Sequence, residues 1–460
     1  MPVTQSNLQY DYFLPIWQAV RDCVDGQKKI KARGAVYLPE FSIKDEPRYN
    51  AYKERAMFLG VTQRTLSSLV GAAIKKAPQV ELPNDMEYLR EDADNSGNSL
   101  NQLFRSSVFN VTAVGRHGLL TDYPSAEGEL TIEDVNRMGL RPSIKEYKAE
   151  NIINWRVDAG KLVLVVLREV TDADVDDFTV KAENRYRVLR IVDGVYVQEI
   201  YDEGGSVVSN GEPKKADGSR WDSIPFVFAG SMNNAPDIDS APMYDLSVVN
   251  IAHYRNSADY EEGVFIHGQP MLHIDIGTMS ADQWEKLNPN GIQVGARRGI
   301  TTNGGGSANL MQAQANGAAK EAMDQKESQM LMIGARLVEE GGASKTATAV
   351  LSDSAAEHSV LSSSVANVGE AVEQCIKWAC EFQGSNPDDV EVIMNLEFFD
   401  KMPDAQMMAA MMGLEDRGHM AQADIRGYLR KTGLIDQDRT DEEIDKETNE
   451  DGGTGTGDAE

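Results

Sequence analysis

Cysteine is scarce in this chain, with three residues in 460, Cys23, Cys375 and Cys380. That is too few for a disulfide framework. Cys375 and Cys380 also fall on different faces of a helix, with no zinc-ligand spacing around them. A reducing, cytoplasmic site of synthesis follows. Basic residues are short too: 45 Lys and Arg stand against 73 Asp and Glu, a formal charge of −28, and the pI is near 4.6. A nucleic-acid clamp needs a basic face to displace counterions from phosphates, so that class is disfavoured. A protein that surrounds DNA without gripping it remains open, as does plain solubility through surface charge. No apolar run approaches the roughly 20 residues of a membrane span. The N-terminus lacks a basic region followed by an apolar stretch, so neither a signal peptide nor a membrane partner is expected. No internal repeat occurs at solenoid periods.

What is present is enough apolar material for real cores, at 41%, in a length that suits two to four domains or one elongated, multi-lobed protomer. The organising stretch runs from Ala308 to Phe382. Residues 308–338 contain no proline and are rich in good helix formers. Ala319, Ala322, Met330, Ile333 and Leu337 keep helical spacing, interrupted by Lys326. A helix of that length would be roughly 45 Å long. A second stripe, Leu351, Ala355, His358, Leu361, Val365, Val368, Val372, Cys375, Ala379 and Phe382, steps by three or four without a miss. Between the two lies Glu339-Glu340-Gly341-Gly342-Ala343-Ser344-Lys345-Thr346, a loop because paired glycines leave the helical basin cheaply. Two long helices presenting a small polar loop suggest a protrusion; an ordinary helical hairpin is the alternative.

The fold class read from these patterns is α+β, mainly helical, with long helices and an antiparallel sheet. Helices are predicted over Leu14–Ile30, Tyr49–Ile74 and Ser99–Thr112, with a short strand after Gly115. Residues 151–230 carry the sheet. It comprises a valine-rich strand over Lys161–Val170, a hairpin of Tyr186–Val192 and Val195–Tyr201 about Asp193-Gly194, and a closing strand over Ile224–Ala229. Ala241–Val264 returns to helix. Residues 265–307 read as a small separate lobe with strands at Met271–Ile276 and Gly291–Gly295 and a helix at Ser280–Leu287. A strand over Val390–Phe399 and short helices over Asp404–Asp416 and Gln422–Thr432 follow. The acidic end from Asp436 reads as flexible.

A search for chemistry finds no catalytic constellation, cofactor motif or metal set. Gly341 to Thr346 resembles a phosphate-binding loop only faintly, because Ser344 replaces the glycine before the lysine and a helix precedes it where a strand belongs. Asp172, Asp174, Asp176 and Asp177 lack the calcium-loop glycine and terminal glutamate, and read as a solvated turn. His117 beside Asp122 and His253 near Asp259 are conceivable acid–base pairs without a nucleophile, so structural roles are preferred. Met407, Met408, Met411 and Met412 read as a packing face. Arg297-Arg298 in the small lobe is the basic pair to watch for a partner or a phosphate.

Several stretches taken in order carry a resemblance. They are Tyr49-Asn50-Ala51-Tyr52-Lys53-Glu54-Arg55-Ala56, Arg64-Thr65-Leu66-Ser67-Ser68-Leu69-Val70-Gly71, Gly115-Arg116-His117-Gly118 with Asp122-Tyr123-Pro124, and Asn154-Trp155-Arg156. The most telling is Leu246 to Glu261, running into Gly268-Gln269-Pro270. Over most of residues 10–435 the chain resembles the portal proteins of tailed bacteriophages, in a branch catalogued as a domain of unknown function. The resemblance implies an elongated protomer with wing, stem, clip and crown. Residues 1–240 with 385–400 would be the wing, 241–264 and 308–338 the stem helices, and 265–307 the clip. Residues 339–346 would be the tunnel loop, 347–384 the long wing helix, 401–435 the crown and 436–460 a flexible tail.

It further implies a non-enzymatic ring of twelve copies at one capsid vertex of the virion, assembled in the bacterial cytoplasm. Through that ring double-stranded DNA is packaged by the terminase large subunit, retained and ejected. Further implied partners are the major capsid or scaffolding protein and a head–tail adaptor, with no cofactor. Glu339 to Thr346 would then line the channel, and Trp284, Arg297 and Arg298 would face partners from the clip. A carboxylate-dependent hydrolase and a helical scaffolding or adaptor protein are the competing readings.

Overall fold

The structure is a computed structural model. It describes residues 2–42, 45–123, 141–176, 179–269, 271–289, 305–311, 317–337, 359–396, 398, 411–415, 417–431, 435 and 439–451. Helix α1 (Leu8–Asp25) starts at Asn7, whose side-chain oxygen accepts from the Gln9 amide, and stops at Gly26, which takes φ +83°. Helix α2 (Gln27–Ala32) follows. The stretch predicted as one helix over Leu14–Ile30 is therefore two, divided at a glycine that tolerates positive φ.

The run over Tyr49–Ile74 is likewise divided, into α3 (Glu46–Arg55) and α4 (Val61–Ala73). Between them Ala56 and Phe58 are buried. The Met57 amide donates to Ser257 Oγ at 3.0 Å and the Phe58 amide to Gln27 Oε1 at 3.1 Å. Phe58 meets the Tyr254 ring edge-on at 6.1 Å. Tertiary partners replace the helical hydrogen bonds, so helix propensity loses to burial.

Strand β1 (Gln79–Glu81) precedes α5 (Leu100–Val114). Ser99 and Gln102 close a reciprocal capping box at the start of α5, and Gly115 ends it in the left-handed region. A Cβ on Gly115 would sit 2.5 Å from the Ser240 carbonyl oxygen, so only glycine fits there. The chain then enters β2 (Arg116–Asp122), the middle of an antiparallel sheet between β3 (Ser143–Lys148) and β9 (Phe226–Gly230).

A second antiparallel sheet holds β4 (Ile152–Asp158), β5 (Lys161–Asp176), β6 (Thr179–Val192), β7 (Val195–Tyr201) and β8 (Val207–Gly211) in that order. The Asp193-Gly194 hairpin forms as predicted, with φ 51° and 80°, both positive as its turn type demands. The strand near Ile224–Ala229 does not close this sheet; as β9 it pairs with β2. There Phe226 and Phe228 are buried, and the pairing puts them on the core side. Strands β5 and β6 outrun their neighbours. Past Leu167 and before Tyr186 they pair with each other alone among the described residues, as a two-stranded arm. Asp172, Asp174 and Asp176 lie within strand β5 of this arm, not in a turn; Asp177 is outside the described residues.

Helix α6 (Tyr244–His267), α7 (Ala281–Leu287) and α8 (Ala318–Arg336) come next, with β10 (Met271–Asp275) and β11 (Ser307–Met311) among them. Helix α9 (Val360–Gln383) buries Leu361, Val365, Val368, Val372, Cys375, Ala379 and Phe382, the predicted stripe, against α5, β2 and β9. Leu351, Ala355 and His358 lie outside the described residues. The strand predicted over Val390–Phe399 is the three-residue β12 (Glu391–Ile393), paired with β1. The mainly helical α+β class holds, with several antiparallel sheets in place of one.

Two units divide the chain, Met1–Leu396 and Glu397–Glu460. In the second, residues 411–415 are helical, and Met407 and Met408 lie outside the described residues. Helix α10 (Gln422–Lys431) agrees with expectation, but α11 (Asp441–Asp451) occupies a stretch predicted to be flexible. Its start is a reciprocal cap: the Thr440 amide donates to Glu443 Oε2 at 3.0 Å, and the Glu443 amide to Thr440 Oγ1 at 3.3 Å. Acidic residues in the first turn favour the helix dipole, and arginines of the preceding segment pair with Asp441, Asp445 and Glu447, a pairing that composition does not reveal.

All three cysteines are free and buried. Burial pushes the Cys23 and Cys375 thiols up to about 12, and that of Cys380 to about 11. A raised folded-state pKa adds stability that is whole below the unfolded value of about 9 and is lost as pH climbs through 9 to 12. Urea denaturation should therefore show stability falling above pH 9, with a shallower fall for Cys375→Ala. A thiol reagent at pH 8 should label the native protein slowly and all three sites in urea.

Candidate functional site: an outgoing helix, a small lobe and a returning helix

Helix α6 buries Leu246, Ser247, Asn250, Ile251, His253, Tyr254, Ser257 and Ala258. Its nine residues beyond Ala258 bury none, and Val264, Phe265 and Ile266 are about half exposed. Polar side chains of α3 reach this end. Tyr52 donates to Asp259 at 2.6 Å, and Arg48 donates to Glu262 at 3.4 Å. Arg55 pairs with the same Glu262 and lies 4.2 Å over the Phe265 ring. Burial, and then the Asp259 carboxylate, raise the Tyr52 hydroxyl above its ordinary range.

Beyond α6 the chain forms a lobe in which β10 and β11 pair from Met271↔Met311 to Asp275↔Ser307. Helix α7 begins at Ser280 with a capping box to Gln283 and carries the half-buried Trp284. Residues 308–311 are thus strand and not the start of a long helix. Gly306 explains the arrangement: a Cβ there would lie 2.3 Å from the Asp275 carbonyl oxygen, so the two strands close only at glycine. Helix α8 starts at Ala318, and its 19 residues span roughly 28 Å, not 45 Å.

Helix α8 packs on α6 through the predicted face, with Met330 and Leu337 buried. His253, 1% exposed, places Nε2 3.2 Å from Glu327 Oε1, while its Nδ1 has no partner among the described residues. Asp259, the partner conceived from sequence, instead accepts from Tyr52. Leu331 and Met332 of α8 and Val248 of α6 are exposed, among polar neighbours such as Lys320, Glu321, Asp324 and Gln325. A Cβ placed on Gly334 would lie 3.5 Å from the Thr65 side chain of α4, an ordinary van der Waals contact. A shallow groove of about 390 Å³ between α4 and α5 is lined by Ser67, Val70, Gln102, Arg105, Ser106 and Phe109, with no acid–base pair.

The glycine–arginine–histidine motif proves to be a junction. Arg116 is stacked 3.9 Å from the Phe228 ring and 4.4 Å from Trp155, and donates to the Pro236 carbonyl at 2.9 Å. Its burial pushes it down to about 9. His117 Nε2 is 3.1 Å from Glu146 Oε1, which also accepts from Ser107 at 3.3 Å. Asp122, imagined beside His117, instead pairs with Arg187 at 3.1 Å, which also holds Glu169 at 2.7 Å. Neither histidine therefore faces its imagined aspartate. No sequence signal marked Glu146, Glu169 or Arg187, since their partners are distant along the chain. Among the described residues no three His, Cys, Asp or Glu side chains are grouped to hold a metal, and no helix is long and apolar enough to cross a membrane. Glu339 to Thr346 and the Arg297-Arg298 pair lie outside the described residues; of the expected channel and clip residues Trp284 is placed.

Removing the Glu327 carboxylate would strand a buried imidazole, at a cost of about 1–3 kcal/mol. Glu327→Ala should accordingly lower the denaturation midpoint, whereas Glu321→Ala, at an exposed position of the same helix, should not.

Residues 242–383 match a domain of unknown function (DUF4055), so the matched region opens just before α6 and closes at the end of α9. Among curated proteins none matches the chain. Among solved structures, a chain of the "Neck of empty GTA particle computed with C6 symmetry" is similar at 16% identity with a TM-score of 0.42, over 81% of this chain and 90% of that one.

Proposed function

We propose that this protein is a portal of a tailed bacteriophage, a ring at one capsid vertex through which a separate ATPase drives double-stranded DNA. The observation that carries the reading is the excursion of α6, a small β lobe and α8 from a larger α+β body, in the order the sequence resemblance implies. Residues 1–240 with 385–400 form the wing, α6 and α8 the stem, and the lobe the clip. Residues 307–311 join the clip, since they pair with β10. Helix α9 is the long wing helix, residues 401–435 the crown, and Glu339 to Thr346 the tunnel loop.

The chemistry suits a conduit. Each lysine–phosphate contact adds salt-dependent affinity and would stall translocation, whereas a chain of charge −28 repels the phosphate backbone. Lys345 and Ser344 supply transient contacts at the constriction, and Glu339 and Glu340 weaken them. The exposed Leu331, Met332 and Val248 supply apolar area for a head-to-tail neighbour, the contact type that closes rings. In the clip, Trp284, Arg297 and Arg298 face the terminase large subunit during packaging and the head–tail adaptor afterwards. The protein belongs to the virion and performs no catalysis of its own.

Mass photometry and negative-stain images should show an annular species near twelve times 50.6 kDa; monomers at every concentration and salt would sink the reading. Replacing Gly341 and Gly342 by alanine should leave the rings intact and reduce packaged DNA per particle. Undiminished packaging would remove the tunnel-loop assignment.

A further inference from the structure

Charge is segregated within the second unit. Residues 417–439 carry five basic side chains against three acidic ones, whereas 440–460 carry one against nine. Three arginines of the first stretch are each met by a carboxylate of the second. Arg426 Nη2 lies 2.5 Å from Asp445 Oδ1, Arg430 pairs with Asp441, and Arg439 pairs with Glu447. Arg426 also donates to the Asp441 carbonyl at 3.4 Å, and Arg430 to that of Arg439 at 2.9 Å. The Arg426 and Arg430 side chains are 15% and 21% exposed, so α11 covers the basic side of α10.

We infer that α11 is an intramolecular stand-in for a phosphate backbone, and that Arg426, Arg430 and Arg439 form a duplex-DNA contact surface which α11 keeps masked. The choice of DNA rests on the portal reading, which brings a duplex within reach. The masking itself rests on the ion pairs alone. Arginine's guanidinium donates to carboxylate and phosphate oxygens alike, so Asp441, Asp445 and Glu447 occupy seats that phosphates fit. A free acidic peptide would compete poorly, because α11 is tethered a few residues away at high effective concentration. A duplex, with one charge per roughly 1.7 Å of axis, offers a continuous competitor and a counterion-release gain that a short peptide lacks. Masking reconciles a cationic cluster with a channel that must not grip: DNA meets arginines only where its local concentration displaces the tethered carboxylates.

The test uses the full chain carrying Asp441→Asn, Asp445→Asn and Glu447→Gln together. Its binding to a fluorescent mixed-sequence duplex is followed by anisotropy at low salt. Affinity should rise at least about tenfold over the unaltered chain, with a log–log salt slope steeper by about 2.7, the value for three phosphate contacts. Adding Arg426→Gln, Arg430→Gln and Arg439→Gln should abolish the gain, while those three changes alone should leave binding as in the unaltered chain. Should the neutralised chain lose helix by circular dichroism, a chain ending at Arg439 takes its place, with the same gain expected. No gain in either chain overturns the inference, as does a gain that survives removal of the arginines. Mass photometry of the same samples scores ring formation separately, so failure of the mask and failure of the portal reading give different results.

Discussion

Burial of one whole face of α9 against α5, β2 and β9 sets the frame of the larger unit. Each fully buried Val, Leu or Phe in that stripe contributes about 1.5–3 kcal/mol, and directional contacts fix where the helix lies. The Phe382 ring stacks on Tyr123 at 5.5 Å and meets Trp221 at 4.5 Å. Thr121 donates to the Cys375 carbonyl at 2.9 Å, and Asn367 donates to that of Gly230 at 2.8 Å. Helix, sheet and the 214–221 turn are therefore held by one element, which is also the last that the domain of unknown function matches.

The body so fixed positions the outgoing helix. The first half of α6 is anchored by apolar burial and by the Arg255 side chain, which donates to the Tyr37 carbonyl at 2.7 Å. The second half is contacted by α3 through Tyr52, Arg48 and Arg55. Apolar packing fixes the first half of α6, and charge-assisted bonds from α3 add to the hold on its second half. Close packing and glycine work together at both ends of this path. Gly115 admits the Ser240 carbonyl before α6, and Gly306 admits that of Asp275 in the lobe.

Much of this was legible in the letters. The α9 stripe, helices α5, α7 and α10 and the Asp193-Gly194 hairpin all follow from local periodicity and turn chemistry, which act within a few residues. Those same rules failed at 56–60, 307–311 and 441–451. In the first two, partners at Ser257, Gln27 and β10 satisfy backbone groups better than a continued helix would. In the third, arginines upstream pair with three carboxylates of a run whose composition reads as flexible. The histidine partners were misjudged for a related reason: Glu146 and Glu327 are far from His117 and His253 in sequence, and nearness along a strand or helix does not mean facing.

The sequence by itself determined which segments are helix or strand wherever the pattern is local and strong, and it determined the electronegative character of the whole chain. It also carried the order of elements on which the portal reading stands. Tertiary structure decided which strands share a sheet, where long helices break, and which carboxylate meets each buried histidine and arginine. Such choices depend on the free energy of groups brought together from distant parts of the chain, and no window of neighbouring residues contains both members of the pair.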